Sequence, residues 1–214
     1  MPKVVVGMAT FQGREMQLEK AYESLIKQVD DIHIYDNSQE PDLTDNGKFY
    51  SIIKYSKPTY FFTCDDDLLY SPDYVQRTIE QIERFNCIVT YHGRKLQGLG
   101  RNYYTGHKAF RFMDRLDDDL FIDVAGTGVT AFRTDYFFAP DLWKSEDKLM
   151  SDLVFSLEAT KQGKDIVLLK HEKGFIKDLQ APLETSIHYR EWRKCNRQNE
   201  IADEIFKLKN KVVY

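Results

Sequence analysis

Three consecutive aspartates have the residue type and spacing that point most directly to chemistry in this chain. Asp65, Asp66 and Asp67 directly follow residues 60–64, an apolar run with the composition of a buried strand. Carboxylates this close repel one another, and a divalent cation offsets that repulsion because Mg²⁺ and Mn²⁺ prefer oxygen ligands. The triplet therefore predicts a metal site at a strand end. A solvated acidic turn is the alternative, and the buried strand just before the acids argues against it.

The opening of the chain predicts the sheet that would position these acids. Residues 4–8 are a continuous apolar run, typical of a parallel strand buried on both faces, and residues 32–35 are a second predicted strand. The segment between them repeats apolar residues at helical spacing. Strand, helix and strand in this order favour a mostly parallel central sheet flanked by helices. We therefore expect a single α/β domain of Rossmann-like type, completed by a C-terminal helix at about residues 187–214.

Polar side chains also follow the first two predicted strands. Thr10 and Arg14 come after the first, and Asp36 and Asn37 come after the second. Ligands of open α/β sheets bind beyond the carboxyl ends of the strands, so these groups and the triplet predict a nucleotide site with a metal beside the diphosphate. Asp36 would accept hydrogen bonds from a base or ribose, while Arg14 and Lys48 would contact phosphate oxygens. Taken singly, Asp36 is better explained by an Asx turn, and Arg14 and Lys48 are better explained as charged residues on the protein surface.

Composition excludes several classes of protein. Of the 214 residues, 42% are hydrophobic and 14% aromatic, which argues against disorder, and a net charge of −4 does not indicate a polyanionic partner. No apolar stretch reaches the roughly 20 residues of a membrane span, and the first residues favour a strand over a signal peptide. Three widely spaced cysteines exclude a disulfide framework or a zinc knuckle. These features predict a cytoplasmic protein without an integral membrane segment.

The remaining segments predict further strands and helices. Strands are expected at residues 87–91, 121–124, 129–132 and 166–169, and helices at residues 48–55, after Pro72, from Leu149 to near Gly163, and around Ile201, Ile205 and Leu208. Residues 92–120 show no clear period, and a segment of this length is often a functional flap or specificity loop. Tyr103 and Tyr104 within it could stack on sugars or bases, although core packing is the more common fate of aromatic rings.

In these motifs the chain resembles the nucleotide-sugar-dependent glycosyltransferases of the GT-A fold, in particular the large family-2-like group. The resemblance lies in residues 8–14, 34–38, 62–74, 124–129 and 150–152, and the aspartate triplet with its flanks is its most specific part. It covers roughly residues 3–175. The resemblance implies one GT-A domain, with a nucleotide-binding half at about residues 1–91, an acceptor-binding half at about residues 92–186 and the C-terminal helix.

The resemblance also implies roles on the nucleotide side. Asp65 and Asp67 match the ends of the Asp-x-Asp motif, with Asp67 as the direct metal ligand and Asp65 toward the ribose or the metal's water shell. Asp36 matches the aspartate that recognises the base, and Thr10 the residue that contacts the nucleotide after the first strand. The expected nucleotide-binding set is Thr10, Arg14, Asp36, Asn37, Lys48, Asp65 and Asp66.

On the acceptor side, the resemblance implies a catalytic base. Asp152 matches the aspartate of the Glu-Asp pair that deprotonates the acceptor hydroxyl in inverting members, although Ser151 stands where a glutamate is usual. Gly126, Thr127 and Gly128 match the substrate-binding loop, in which glycine lets donor sugar and acceptor approach closely because it has no Cβ. Without the resemblance, Asp152 would be explained as a first-turn acid favoured by the helix dipole.

The cofactors that the resemblance implies are Mn²⁺ or Mg²⁺ and a nucleoside-diphosphate sugar, with a UDP-sugar as first candidate. His171, just past the predicted strand at residues 166–169, matches a late histidine that completes metal coordination in many GT-A enzymes, and His188 is the rival for that role. The expected metal ligands are thus Asp65, Asp67 and His171.

The sequence leaves the acceptor and the reaction class open. A bacterial surface glycan is the first candidate acceptor, made in the cytoplasm or at the inner membrane surface. The second is hydroxymethylated pyrimidine in DNA, as for a phage enzyme in the host cytoplasm. A metal-dependent nucleotidyl- or phosphoryl-transfer enzyme is an alternative class, although residues 10–14 do not form a Gly-rich phosphate loop. A non-catalytic carbohydrate- or Ca²⁺-binding module is a third, and it predicts that Asp152 is dispensable.

Overall fold

The structure is a computed structural model that describes residues 2–39, 41–180 and 196–210. Within these ranges the strands are β1 (Lys3–Thr10), β2 (Asp31–Asp36), β3 (Thr59–Asp65), β4 (Leu68–Tyr70), β5 (Ile88–Thr90), β6 (Gly93–Leu96), β7 (His107–Phe110), β8 (Leu120–Ile122), β9 (Val124–Ala125), β10 (Val129–Arg133), β11 (Ile166–Leu168) and β12 (Ile176–Asp178). The helices are α1 (Glu15–Leu25), α2 (Tyr74–Phe85), α3 (Ser151–Lys161) and α4 (Asn196–Asn210), with 3₁₀ helices at Thr44–Lys54 and Leu142–Lys144.

Seven of the strands form the central sheet, in the order β2-β1-β3-β10-β5-β11-β8. Strands β2, β1, β3, β5 and β11 share one direction, whereas β10 and β8 run against it. Small sheets of β12 with β4 and of β7-β6-β9 lie beside it. The prediction of a mixed α/β fold with a mostly parallel central sheet and helices is confirmed.

The central strands β1 and β3 are apolar on both faces, which explains their place in the middle of the sheet. Val6 and Phe62 belong to the core cluster that includes residues of α1 and α2. Val5 and Phe61 belong to the cluster that includes residues of the first 3₁₀ helix and of α3. Burying a side chain of this size stabilises a fold by about 1.5–3 kcal/mol. Because a slip of one residue would exchange the two faces, this burial fixes the register.

The register brings three strand ends to one edge of the sheet. Ala9 lies opposite Asp65 across β1 and β3, and Thr10 lies opposite Asp36 across β1 and β2. The antiparallel strand β10 begins at Val129, opposite Cys64, so the turn before it lies beside the end of β3. The ends of β1, β2 and β3, which carry the predicted polar groups, therefore lie along one edge of the sheet.

The first 3₁₀ helix lies directly on β1, and Gly7 makes this approach possible. A Cβ at Gly7 would come within 2.0 Å of the Lys48 carbonyl oxygen. The helix begins at Thr44 rather than at the expected residue 48, so it contains Asp45 as well as Lys48. Glycine at position 7 therefore helps to place two charged residues at the sheet edge.

Residues 92–120, expected to lack regular structure, contain a hairpin. Strands β6 and β7 pair antiparallel, and β6 also pairs with β9. These strands are short and rich in charged residues, so no local period marks them. The hairpin segment packs on α4, where Tyr103 joins Ile201 and Ile205 in one apolar cluster. The predicted C-terminal helix is confirmed over the described residues, with Leu208 exposed rather than buried.

The cysteines and the absence of a membrane span were also predicted from the sequence. Cys64 and Cys87 are buried free thiols, and Cys195 lies outside the described residues. No helix in the described ranges has the length and apolar character needed to cross a membrane.

Candidate active site

A cleft of about 280 Å³ opens at the edge of the sheet where β1 and β3 end. Its triplet side is formed by Arg14, Lys48 and the three aspartates at residues 65–67. Its hairpin side is formed by Arg94, Tyr103, Tyr104 and Gln198. Thr127, Ser151 and Asp152 line the same cleft. Most of the predicted site residues therefore come together, although they are spread from β1 to α3.

The middle aspartate of the triplet is buried and serves the fold. Asp66 is 1% exposed. Its Oδ2 accepts a hydrogen bond of 2.7 Å from the Thr10 hydroxyl, and its Oδ1 accepts one of 2.6 Å from the Arg14 guanidinium. Asp66 and the Thr10 hydroxyl bind each other, and a contact from either to a nucleotide stays a prediction. Together they fix the turn that carries the outer two acids.

Asp65 is held in the cleft by hydrogen bonds with Lys48 and Tyr70. Lys48 donates a hydrogen bond to its Oδ1. The Asp65 amide donates 2.8 Å to the Tyr70 hydroxyl, which in turn donates 2.7 Å to the Gly128 carbonyl. A Cβ at Gly128 would lie 2.0 Å from Asp65 Oδ2. Glycine is therefore required at position 128 to leave room for the Asp65 carboxylate. Gly126 is likewise required by the ring of His92, which a Cβ would approach to 2.6 Å.

Asp67 is the acid whose charge the protein compensates least. Its side chain is 25% exposed, and its Oδ2 accepts a hydrogen bond of 3.2 Å from Arg14. Burial and the neighbouring charge of Asp65 raise the pKa of Asp67 to about 7, against the opposing effect of Arg14. A cation beside this carboxylate would favour its ionised form.

Lys48 is a buried cation among carboxylates. Its side chain is 4% exposed, and its ammonium lies 3.5 Å from Thr127 Oγ1 as well as against Asp65. Burial disfavours the charged ammonium, but the carboxylates of Asp65 and Asp45 outweigh this effect and raise the pKa of Lys48. The ammonium is therefore charged at neutral pH, at the point where the cleft meets the acids.

Asp152 is an ionised carboxylate with a fixed orientation. Its Oδ1 accepts hydrogen bonds from the Thr127 amide at 2.8 Å and the Thr127 hydroxyl at 2.9 Å. Its Oδ2 accepts one from Arg94 at 3.0 Å. Burial opposes its ionisation, but Arg94, the Thr127 amide and Lys48 together hold the pKa of Asp152 below its usual range. Because Asp152 lies in the first turn of α3, the helix dipole also favours its ionised form.

Asp36 and Asn37 lie at the sheet edge but outside this cleft. The Ser38 amide donates 2.9 Å to Asp36 Oδ1, which is the Asx turn that the sequence also allowed. Asn37 donates to the Thr44 carbonyl at 2.9 Å and accepts from the Leu43 amide at 2.9 Å, so its side chain ties the loop to the first 3₁₀ helix. Asp36 borders a neighbouring groove with Tyr50. A contact from Asp36 to a base stays a prediction, and Asn37 has a structural role.

His171 does not join the predicted metal ligands. Its Nδ1 lies 2.8 Å from the Leu169 carbonyl, and its buried ring packs edge-on against Tyr91. In the described part of the chain, no group of three or more His, Cys, Asp or Glu side chains is arranged to hold a metal ion. The expected set of Asp65, Asp67 and His171 therefore does not come together. The rival, His188, lies outside the described residues.

Three lining residues were missed by sequence reasoning. Asp45, 7% exposed, accepts a hydrogen bond of 2.9 Å from the Ser151 amide and so holds the start of α3. Arg94 comes from β6, and Gln198 from α4. No local pattern marks these residues, because each reaches the cleft only through contacts between distant segments. For Asp45 the sequence offered one clue, which is its position three residues before Lys48, a residue already predicted to line the site.

Comparisons with known proteins reveal distant structural likeness only. No protein-family model and no curated protein matches the chain. The chain is similar to the crystal structure of A197 from STIV, with a TM-score of 0.48 and 10% sequence identity over 83% of this chain and 84% of that one. It is also similar to the inositol-1-phosphate CTP transferase from T. maritima, with a TM-score of 0.39 and 16% identity over 96% of this chain and 77% of that one. Likenesses at these TM-scores carry no argument about function.

Proposed function

We propose that this chain is a metal-dependent, inverting glycosyltransferase of GT-A type, which transfers a sugar from a nucleoside-diphosphate sugar to an acceptor hydroxyl. One observation carries the proposal: the outer acids of the triplet, Asp65 and Asp67, and the carboxylate of Asp152 line a single cleft at the carboxyl edge of the sheet. Ligands of open α/β sheets bind at such an edge. The resemblance of the motifs around these residues to GT-A enzymes supports the same reaction.

The donor set on the triplet side fits a divalent cation. Asp67 and Asp65 are 25% and 39% exposed, so both can be reached from the cleft. Burial, followed by the neighbouring charge of Asp65, raises the pKa of Asp67, and a cation beside this carboxylate would favour its ionised form. Sites for Mg²⁺ often use one or two carboxylates and take their other ligands from substrate phosphates and water, so two acids suffice. Such a cation, when bound, neutralises charge on a departing diphosphate.

The two basic side chains of the triplet side, Arg14 and Lys48, could bind the oxygens of the diphosphate. Arg14 and Lys48 are held in place by the triplet, and both line the cleft. Charge-assisted hydrogen bonds from such groups to phosphate oxygens are shorter and stronger than neutral ones. Lys48 contacts Asp65 and Thr127, so its ammonium adds positive charge beside the acids that would hold the cation.

Asp152 supplies the base. Its lowered pKa keeps it ionised at neutral pH, and the hydrogen bonds from Thr127 and Arg94 fix its orientation. In the transfer step the acceptor oxygen forms a bond to the anomeric carbon, the bond from that carbon to the diphosphate oxygen breaks with its electron pair, and the acceptor's proton passes to Asp152. Positioned proton transfer of this kind contributes typically 10²–10⁴-fold to the rate.

The test measures consumption of a panel of sugar nucleotides with and without Mn²⁺. We expect metal-dependent donor binding and slow donor hydrolysis, with release of nucleoside diphosphate. Asp67→Ala should remove the metal dependence, and Asp152→Asn should bind donor while losing at least 10²-fold in transfer. Asp141→Asn, at an exposed aspartate outside the cleft, is the matched control.

Two outcomes would contradict the proposal. Transfer by Asp152→Asn at the parental rate would show that another group is the base. Release of pyrophosphate from a nucleoside triphosphate, with no sugar nucleotide consumed, would instead assign the cleft to nucleotidyl transfer.

A further inference from the structure

Gln198 lines the cleft and carries a buried side-chain oxygen that has no hydrogen-bond partner among the described residues. The residue is 3% exposed and lines the cleft from α4. Its Oε1 is buried and has no hydrogen-bond partner among the described residues. Buried polar atoms are nearly always paired, and an unpaired one calls for an explanation. A hydrogen-bond donor on a bound ligand would supply it.

The hairpin side around Gln198 is firmly built. The Tyr103 amide donates 2.7 Å to Asn199 Oδ1, and the Gly100 amide donates to Asp203 Oδ1 at 2.9 Å. At the start of α4, Arg197 forms two hydrogen bonds with Asp147, of 2.8 and 2.9 Å. These bonds attach α4 to the hairpin loop and to the segment before α3. Gln198 is therefore presented on a fixed surface, as a binding residue should be.

Aromatic rings lie beside the amide. Tyr103 and Tyr104 both line the cleft, and their rings meet edge to face at 5.4 Å. The guanidinium of Arg94 lies 5.3 Å from the centre of the Tyr103 ring. Sites for small molecules combine aromatic surface with a few placed polar groups. A ring that presents C–H groups on its face and hydroxyls at its rim, such as a sugar, complements this combination.

The charge on the hairpin side favours a neutral ligand. Among the described lining residues of this side, Arg94 is the charged one, and it is paired with Asp152 at 3.0 Å. The other two basic residues of the cleft, Arg14 and Lys48, lie on the triplet side, where they are paired with its acids. Nucleic acids and lipid phosphates are bound chiefly through Lys and Arg contacts to phosphate. The hairpin side offers a phosphate little of this kind.

We infer that the hairpin side binds a neutral saccharide acceptor and that Gln198 Oε1 accepts a hydrogen bond from one of its hydroxyls. This inference rests on the proposed function. It adds the acceptor class and one specificity-determining residue, contributed by the C-terminal helix. Hydroxymethylated DNA is the competing acceptor, and the experiment separates the two.

The experiment uses the full chain and assays donor consumption before any acceptor is added. A panel of neutral aryl glycosides and a duplex containing hydroxymethylcytosine are then compared as acceptors. For Gln198→Met, which keeps the side-chain volume, we expect acceptor KM to rise about tenfold while donor KM stays at the parental value. Tyr104→Leu should raise acceptor KM as well. Gln76→Met, on the exposed surface of α2, is the matched control.

Each outcome has a distinct meaning. If the parental chain consumes no sugar nucleotide, the proposed function itself fails. If it consumes donor but no neutral glycoside accepts the sugar, or the modified duplex is the better acceptor, the inference about the saccharide is overturned. If neither Gln198→Met nor Tyr104→Leu changes acceptor KM in folded protein, the hairpin side is not the acceptor site.

Discussion

Replacing Lys48 with methionine tests the electrostatics of the cleft most directly. The ammonium is 4% exposed and contacts Asp65, with Asp45 close enough to raise its pKa. Methionine preserves most of the volume but removes the charge, which leaves carboxylates facing one another. We therefore expect Lys48→Met to be less stable than the parental chain and to gain more stability from added Mn²⁺ than the parental chain does.

The size of the effect follows from burial. Removing one partner of a buried ion pair costs about 3–5 kcal/mol. The Asp65 side chain is 39% exposed, so solvent screens part of the loss and we expect about 2–3 kcal/mol. In a chain of this length 1 kcal/mol shifts Tm by about 2–4 °C, so Tm should fall by roughly 4–12 °C. Thermal melts with and without Mn²⁺ measure both effects.

Lys144→Met provides the matched control. This lysine is 57% exposed and pairs with Asp141 on the surface, where such a pair contributes at most about 1 kcal/mol. The reasoning would be refuted if Lys48→Met melted no lower than Lys144→Met, or if Mn²⁺ raised the Tm of Lys48→Met no more than that of the parental chain.

Three further predictions concern close contacts and pH. Gly128→Ala should displace the Asp65 carboxylate, because the added Cβ would lie 2.0 Å from Oδ2, and calorimetry should show Mn²⁺ affinity reduced at least tenfold. Gly7→Ala should destabilise the fold by about 1–3 kcal/mol in urea, because its Cβ would meet the Lys48 carbonyl. Burial, together with the nearby charge of Arg94, lowers the pKa of His92 to about 4. Between pH 6.5 and 4, His92 is therefore protonated in the unfolded chain but remains neutral in the folded chain. Stability should therefore fall by about 3 kcal/mol between pH 6.5 and 4, and His92→Phe should remove this loss.

Each of these predictions has a result that would count against it. Parental Mn²⁺ affinity in Gly128→Ala would mean that Asp65 does not bind the metal. A Gly7→Ala chain as stable as the parent would mean that the first 3₁₀ helix can move away from β1 at little cost. Equal pH dependence in His92→Phe and the parent would mean that other groups cause the acid loss.

The parts of the fold predicted from sequence are those with a local signal. Val5 and Phe61 lie in continuous apolar runs, and such runs indicate strands covered on both faces. Gly163, with φ of 66°, ends α3 as its position after the helical period predicted. The acids of the triplet were predicted to line a site from their position at a strand end, and Asp152 was predicted from the motif resemblance alone; all four line the cleft.

The parts that were missed depend on contacts between distant segments. Arg94 lies in a polar four-residue strand whose pairing with β9 no local period records. Gln198 belongs to a helix whose polar residues look alike in sequence, and only its packing against the hairpin segment separates it from its neighbours. Asn37 shows a limit of the same kind: the sequence assigned this polar residue at a strand end to a nucleotide, whereas the structure shows that its side chain binds the backbone of the following loop.

The burial of Asp66 affects how mutations of the acidic triplet are to be interpreted. Under the proposed function, alanine at any of the three positions should abolish activity in a simple assay. At residues 65 and 67 the cause would be lost chemistry, whereas at Asp66 the turn would come loose from Thr10 and Arg14. Activity alone therefore cannot rank the three acids. A scan of this motif becomes informative only when each variant's melting temperature is reported beside its rate.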